Sequence, residues 1–245
     1  MVVQVSQAKS IPPTKAILCL HGSGASSAIF RLQLGRLRFA LKTQFEFVFV
    51  DAPNPAIAGP GILPLFAGAG PFHGWFELER NQGNAEIARI HVAVRAAIDV
   101  WEATKKNRNS TIVGIMGFSQ GAIAATMLLW QKQQGQLPWL PVMHFAVLIC
   151  CDFAEELAAH MHAEAKGRGQ ETAVLILPTL HLHGRQDPFL KKGKKMVQDH
   201  FNTEEADVLE FDGGHQCPNT RSDCEEVTRR ILKLSKIALQ KTEGC

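Results

Sequence analysis

The chain has 245 residues, of which 46% are hydrophobic and 20% are charged. This composition is that of a folded globular protein and excludes a disordered chain. The length fits one α/β domain, and we expect a single domain over residues 1–245. The net charge of +3 is too small to indicate a nucleic-acid partner. One local cluster of lysines is typical of a solvated helix face: Lys191, Lys192, Lys194 and Lys195.

The six cysteines show neither a disulfide framework nor the spacing of metal ligands. None belongs to a Cys-x-x-Cys pair, and Cys19, Cys150 and Cys151 lie in apolar runs, where a thiol acts as a small hydrophobic group. We therefore expect no metal and no cofactor. Residues 1–15 lack the basic start and apolar centre of a secretory signal, so we expect a cytoplasmic protein.

One uncharged segment, residues 52–76, is long enough to cross a bilayer. Five prolines and five glycines interrupt it. A helix in lipid does not tolerate so many residues that interrupt its hydrogen bonds, and we expect a long loop and no membrane span.

Short apolar runs alternate with helical patterns along the chain. In chain order, we predict strands at 16–20, 45–50, 112–116, 145–150, 179–183 and 208–211. We predict helices at 27–41, 85–101 and 120–131, a helix from about 154, a lysine-rich helix behind the fifth strand, and a last helix near the carboxyl end. This alternation indicates a parallel sheet, and the continuous apolar character of the strands indicates helices on both faces. We therefore predict an α/β fold with a mostly parallel sheet of about six strands.

The sequence Gly-Phe-Ser-Gln-Gly at residues 117–121 lies directly between a predicted strand and a predicted helix. This context is typical of the nucleophile elbow of an α/β-hydrolase, in which a sharp turn exposes a serine hydroxyl at the edge of the sheet. Gly117 and Gly121 leave room for that turn, and the new helix directs free N–H groups at the serine. We predict that Ser119 is a nucleophile rather than part of an ordinary Gly-rich loop.

A serine hydroxyl needs a base before it can act as a nucleophile. His215 follows the sixth predicted strand and two glycines, which allow the chain to turn so that the imidazole reaches back over the sheet. We predict that His215 is the base. His181 and His183 lie on a predicted strand without a partner motif and are interpreted as structural.

The third group must accept a hydrogen bond from the base and fix its tautomer. Asp187 follows the fifth predicted strand, and the chain order Ser, Asp, His favours it. The same residue could simply cap the next helix. Asp152, after the fourth strand, is the alternative acid.

The oxyanion of a tetrahedral intermediate needs N–H donors. The backbone N–H of Gln120, directly after the nucleophile, is the first candidate. The backbone N–H of Ser23, in the Gly-rich loop after the first strand, is the second. Residues 21–24 lack the spacing of a phosphate-binding loop, which disfavours that alternative.

Together these residues resemble the FSH-type serine hydrolases, an α/β-hydrolase family rich in fungal members, and the likeness runs over most of the chain. Within the family the chain is most similar to the stand-alone thioesterases of fungal polyketide clusters. The resemblance implies an acyl-enzyme on Ser119 and release of a finished acyl chain from the carrier domain of a polyketide synthase. It rests on six stretches of sequence: 18–22, 50–53, 71–76, 117–122, 183–187 and 213–218.

The apolar loop at 52–84 is expected to form part of an acyl pocket. Its members could equally do no more than cap the sheet. Two other functions stay open: a general carboxylesterase on small lipophilic esters, and a hydrolase-like binding module without catalysis. A complete set of serine, aspartate and histidine argues against the binding module. The residues expected to contact substrate are Phe66, Phe72, Trp75 and Phe76.

Overall fold

A six-stranded sheet forms the centre of the protein, which we describe from a computed structural model for residues 14–76, 83–151, 155–169 and 173–243. The strands, in chain order, are β1 (Lys15–Leu20), β2 (Phe45–Val50), β3 (Asn54–Ala56), β4 (Phe72–Gly74), β5 (Thr111–Phe118), β6 (Phe145–Ile149), β7 (Thr179–Gly184) and β8 (Ala206–Phe211). The large sheet has the order β2-β1-β5-β6-β7-β8, and each neighbouring pair is parallel. The predicted parallel sheet of about six strands is confirmed.

Helices cover both faces of this sheet, as the sequence predicts. They are α1 (Ser27–Gln33), α2 (Gly35–Leu41), α3 (Gly83–Thr104), α4 (Gln120–Gln133), α5 (Glu155–Gly167), α6 (Leu190–His200) and α7 (Arg221–Glu243). Side chains of α1, α2 and α7 pack on one face, and those of α3, α4, α5 and α6 pack on the other. Within the described ranges, no helix combines the length and apolar character needed to cross a membrane.

The strand β1 shows why the sequence pattern is continuous rather than alternating. Ala16, Leu18 and Leu20 point into the core beneath α3 and α4, whereas Ile17 and Cys19 point into the core beneath α1, α2 and α7. All five side chains are completely buried. Burial of one large aliphatic side chain stabilises the fold by about 1.5–3 kcal/mol, so a polar residue at any of these positions would be costly.

The predicted helix at 27–41 is two helices in the structure. Leu34 has φ −86° and ψ 10°, which ends α1 and precedes α2. Gly35 follows, and glycine is a poor helix former because it loses much backbone freedom in a helix. The buried stripe of Phe30, Leu34, Leu37 and Leu41 continues through the break, so the periodicity alone did not reveal it.

The segment predicted as a loop contains the two short strands β3 and β4, which pair antiparallel and join Asn54 to Gly74 and Ala56 to Phe72. Pro55 lies in β3, and because proline lacks an N–H its presence argued against a strand there. The pairing holds the two ends of the segment together. Residues 77–82 of the expected pocket loop lie outside the described part of the chain.

Candidate active site

Ser119 occupies a sharp turn between β5 and α4. It has φ 53° and ψ −124°, a left-handed conformation that a residue with a side chain rarely adopts. Such strain costs of the order of 1–3 kcal/mol and persists only where the surroundings enforce it. Here the Ser119 N–H donates to the carbonyl of Ile149 on β6 at 2.9 Å, and the Ala122 N–H donates to the carbonyl of Ser119 at 2.8 Å.

This turn requires glycine at positions 117 and 121, because neighbouring backbone atoms lie where a Cβ atom would be. A Cβ on Gly117 would lie 2.4 Å from the carbonyl oxygen of Gly121. A Cβ on Gly121 would lie 2.3 Å from the carbonyl oxygens of Leu20 and His21. The start of α4 thus packs directly on the end of β1.

Three polar side chains meet at the carboxyl edge of the sheet, although each follows a different strand. Nε2 of His215 lies 2.8 Å from Oγ of Ser119, and Nδ1 of His215 lies 2.9 Å from Oδ2 of Asp187. The structure therefore brings together all three residues that the sequence analysis selected as nucleophile, base and acid. Asp152, the alternative acid, lies outside the described residues.

The loop that carries Asp187 packs closely on the loop that carries His215 and is hydrogen bonded to it. A Cβ on Gly184 would lie 2.1 Å from the carbonyl oxygen of Gly214, so the two loops could not approach in this way with larger residues. The backbone N–H groups of Arg185 and Gln186 donate to the carbonyls of Phe211 and Gly213. These bonds fix the distance between the carboxylate and the imidazole.

Asp187 accepts a second hydrogen bond, from the backbone N–H of Phe189 to Oδ1 at 2.8 Å. Its side chain is almost completely buried, whereas that of His215 is 23% exposed. Two aromatic rings flank the imidazole, those of Phe118 and Phe189, each with its centroid 5.3 Å away. Phe189, which no sequence motif marks, is 39% exposed beside the site.

Cys150 lies beneath the pair of Asp187 and His215 and is another residue that the sequence analysis did not select for the site. It has φ 47°, and its Sγ lies 3.4 Å from the carbonyl oxygen of Gln216, the residue after His215. Burial raises the pKa of this thiol to about 12. It is therefore a protonated hydrogen-bond donor at neutral pH.

The ligand atoms of Cys150, Asp187 and His215 lie within 4.8 Å of one another, a spacing that could hold a metal ion. Metal binding requires a deprotonated thiol. The high pKa of Cys150 opposes this, and the carboxylate and imidazole are already bonded to each other. The arrangement therefore fits a hydrogen-bonded network better than a metal centre.

The loop after β1 lies beside the nucleophile. A Cβ on Gly22 would lie 2.8 Å from the Phe118 ring and 3.5 Å from Cβ of Ser119. Ser23, the expected second oxyanion donor, is the next residue. Gln120, the expected first donor, opens α4, where backbone N–H groups have no partner within the helix.

His21 holds this loop in place. Its Nδ1 lies 2.7 Å from the carbonyl oxygen of Gly22, and its Nε2 accepts a hydrogen bond from the Ala52 N–H at 3.0 Å. Burial lowers the pKa of His21 to about 4, so the ring stays neutral at physiological pH. A neutral ring with its proton on Nδ1 satisfies both contacts.

The four residues expected to contact substrate have different environments. Phe66 and Phe72 are partly buried and pack on a small cluster with Ile62, and Phe76 is partly buried against the main core. Trp75 is completely buried, and its Nε1 donates to the carbonyl of His21 at 2.7 Å. In this structure Trp75 has no surface to offer a ligand and instead supports the loop after β1.

His181 and two of the lysines are bonded to residues other than Ser119, Asp187 and His215. His181 is buried on β7 with Nε2 3.0 Å from Oγ1 of Thr179, and burial lowers its pKa to about 3. The lysine cluster is exposed on α6, where Lys194 pairs with Glu210 and Lys195 with Asp199.

A parallel α/β sheet with a serine, a histidine and an aspartate hydrogen bonded at the carboxyl ends of its strands has the architecture of an α/β-hydrolase. Residues 10–227 match the family model described as "Serine hydrolase (FSH1)". The chain belongs to this family, and it is a hydrolase enzyme.

Its relatives include fungal esterases and thioesterases. It is 44% identical over 230 residues to "Esterase mlcF" of Penicillium citrinum, covering 91% of this chain and 90% of that one. It is 44% identical over 251 residues to "Dihydromonacolin L-[lovastatin nonaketide synthase] thioesterase" of Aspergillus terreus, covering 96% and 97%. Among solved structures, acyl-protein thioesterase 2 of Zea mays has the same fold, with a TM-score of 0.56, 17% identity and coverage of 92% and 95%.

Proposed function

We propose that the protein is a thioesterase that releases a polyketide-type acyl chain from the phosphopantetheine arm of a synthase carrier domain. The observation that carries the chemistry is the continuous hydrogen-bonded series from Ser119 through His215 to Asp187. The substrate class is inferred from the 44% identical relative whose name describes a thioesterase of a nonaketide synthase.

The reaction follows from the roles of these groups. Oγ of Ser119 attacks the thioester carbonyl carbon while Nε2 of His215 takes the hydroxyl proton. Asp187 stabilises the imidazolium, and the backbone N–H groups of Gln120 and Ser23 donate to the oxyanion. The C–S bond then breaks, and the thiol leaves with the proton from His215. A water molecule, deprotonated by His215, attacks the acyl-enzyme, which releases the carboxylic acid and restores Ser119.

The apolar segment at 52–76 is proposed to hold the acyl chain. Phe66, Phe72 and Phe76 each keep part of their surface exposed, and Ile57 and Leu65 are 89% and 80% exposed. Exposed apolar surface of this kind can serve as a binding site for a ligand or a partner where it is contiguous. No aspartate, glutamate, lysine or arginine lies between residues 52 and 76, which suits a reduced acyl chain better than a sugar or a peptide.

We also propose that the acyl chain arrives on a carrier domain and that the protein is cytoplasmic. Lys191 and Lys192 are exposed at the start of α6, close in sequence to Phe189 beside His215. Such a basic surface would speed encounter with an acidic partner.

The cysteines at positions 19, 150, 151, 217 and 224 are free and buried, which suits a reducing compartment.

The experiment compares kcat/KM for pantetheine thioesters and matched oxygen esters with acyl chains from two to twelve carbons. We expect thioesters to be preferred and kcat/KM to rise with chain length, with a further gain when the same acyl group is carried on a carrier domain. A preference for acetyl or butyryl oxygen esters, with no gain from longer chains, would instead identify a general carboxylesterase. That second candidate is favoured by relatives whose names say only "Esterase".

A further inference from the structure

The side chain of Gln120 reaches from the nucleophile elbow to the segment that follows β4. Its Oε1 accepts a hydrogen bond from the Trp75 N–H at 2.7 Å, and its Nε2 donates to the carbonyl of Phe76 at 3.1 Å. Gln120 is buried, its bond to Trp75 is buried as well, and its bond to Phe76 is partly buried. One amide therefore connects the residue after Ser119 with the proposed acyl-binding segment.

Local backbone geometry explains why a side chain is needed here. The β3–β4 pairing ends at Gly74, so the backbone groups of Trp75 and Phe76 lie beyond the ladder. A glutamine amide offers one acceptor and a donor group and can satisfy both. Gly74 leaves room for it, because a Cβ there would lie only 3.3 Å from Oε1 of Gln120.

Trp75 makes two further hydrogen bonds, one through its carbonyl and one through its indole. Asn54 Nδ2 donates to the Trp75 carbonyl at 3.1 Å, and Arg89 Nε donates to Oδ1 of Asn54 at 3.0 Å. The indole Nε1 donates to the carbonyl of His21, next to the loop that contains Ser23. Trp75 thus links the elbow, the proposed oxyanion loop and the proposed acyl-binding segment in one hydrogen-bonded network.

We propose that the Gln120 side chain is a positioning residue that sets acyl-chain selectivity, by holding Trp75 and Phe76 at a fixed place relative to Ser119. The inference rests on the proposed role of the segment at 52–76 in binding the acyl chain. In this proposal the backbone N–H of Gln120 donates to the oxyanion, whereas its side-chain amide positions Trp75 and Phe76. A substitution that removes the amide leaves the N–H in place.

The proposal predicts a loss of kcat/KM whose size depends on the length of the acyl chain. A short acyl group makes little contact with the segment, whereas a long one spans it. If the network places the segment, its disruption raises KM for long chains more than for acetyl. We expect a change of roughly tenfold in selectivity, which corresponds to about 1.4 kcal/mol.

The test uses Gln120→Met, which has similar volume and no amide, and Asn54→Ala, which removes a different bond to Trp75 without touching α4. Each is assayed with acetyl- and decanoyl-pantetheine. We expect the decanoyl-to-acetyl ratio of kcat/KM to fall roughly tenfold in Gln120→Met and by a smaller factor in Asn54→Ala, mainly through KM. If Gln120→Met fails to fold, Asn54→Ala carries the test alone.

The matched control is Gln131→Met on the same helix. Gln131 is also buried, but its Oε1 lies 2.8 Å from Nε2 of His91, a residue of α3. We expect its ratio to equal that of the unmodified protein. An unchanged ratio in Asn54→Ala, or an equal loss on both substrates in Gln120→Met, would overturn the inference. If the unmodified protein gains nothing from the longer chain, the proposed function fails first and the inference falls with it.

Discussion

Oγ of Ser119 lies 2.8 Å from Nε2 of His215, although the two residues are 96 positions apart in the chain. The contact exists because both residues follow parallel strands of one sheet, whose carboxyl ends meet at a common edge. The hydrogen bonds around Ser119 and between the loops that carry Asp187 and His215 hold the two atoms at this distance. The proposed mechanism depends on that preorganised geometry.

The nucleophile and base should act as one unit. We expect Ser119→Ala and His215→Ala each to lower kcat by several powers of ten, and the double variant to be no worse than either. Steady-state turnover of a fluorogenic thioester measures this. If the loss of kcat in the double variant equalled the product of the two single losses, the residues would act in separate steps.

The carboxylate should act by fixing the tautomer of His215. Asp187→Asn keeps the shape of the side chain but can present an N–H to Nδ1, and we expect a loss of roughly ten-thousand-fold in kcat. Asp152→Asn serves as the comparison and should remain near normal. A severe loss in Asp152→Asn, with near-normal activity in Asp187→Asn, would assign the acid to the other residue.

The elbow should tolerate no side chain at Gly117. We expect Gly117→Ala to lower the free energy of unfolding by about 1–3 kcal/mol or more, because a Cβ there meets backbone atoms that cannot rotate away. Gly35→Ala is the control, since its Cβ would meet nothing within 4 Å and the helix gains from alanine. Urea titrations of both variants give the values. Equal stability of Gly117→Ala and the unmodified protein would contradict the described turn.

Stability should fall on mild acidification. The pKa values of His21 and His181 are lowered by burial from 6.5 to about 4 and about 3, so between these values and pH 6.5 the unfolded chain binds protons that the folded chain does not. The free energy of unfolding therefore decreases as pH falls below 6.5, by up to about 1.4 kcal/mol per pH unit for each histidine. Urea titrations at pH 7 and pH 5 measure it. In the variant His181→Leu, the free energy of unfolding should decrease less between pH 7 and pH 5. A larger decrease would contradict the lowered pKa assigned to His181.

The sequence predicts the central elements well where pattern and chemistry agree. The strand at 45–50 matches β2 at both ends, and the Gly-x-Ser-x-Gly context leads to Ser119 because glycine spacing reflects a steric requirement. The selection of Asp187 relied on chain order, and the structure brings its carboxylate to His215. These features depend on residues that are near each other in sequence or on strand order.

What the sequence does not reveal depends on contacts between distant segments. The amide of Gln120 bonds to backbone groups 44 and 45 positions away, and no local pattern marks that contact. Phe189 and Cys150 reach the site only through the folding of β6, β7 and β8 beside one another. The burial of Trp75 is likewise set by tertiary packing, which is why an aromatic side chain expected to contact substrate lies in the core.

Covalent labelling of Ser119 tests the central claim most directly. The purified protein is treated with a fluorophosphonate and then examined by intact mass and by mapping of the modified peptide, with Ser119→Ala and His215→Ala treated in parallel. The account predicts one adduct per chain on Ser119, no adduct in Ser119→Ala, and labelling slowed by several powers of ten in His215→Ala. Undiminished labelling of Ser119→Ala, or an adduct on another residue of the unmodified protein, would contradict it.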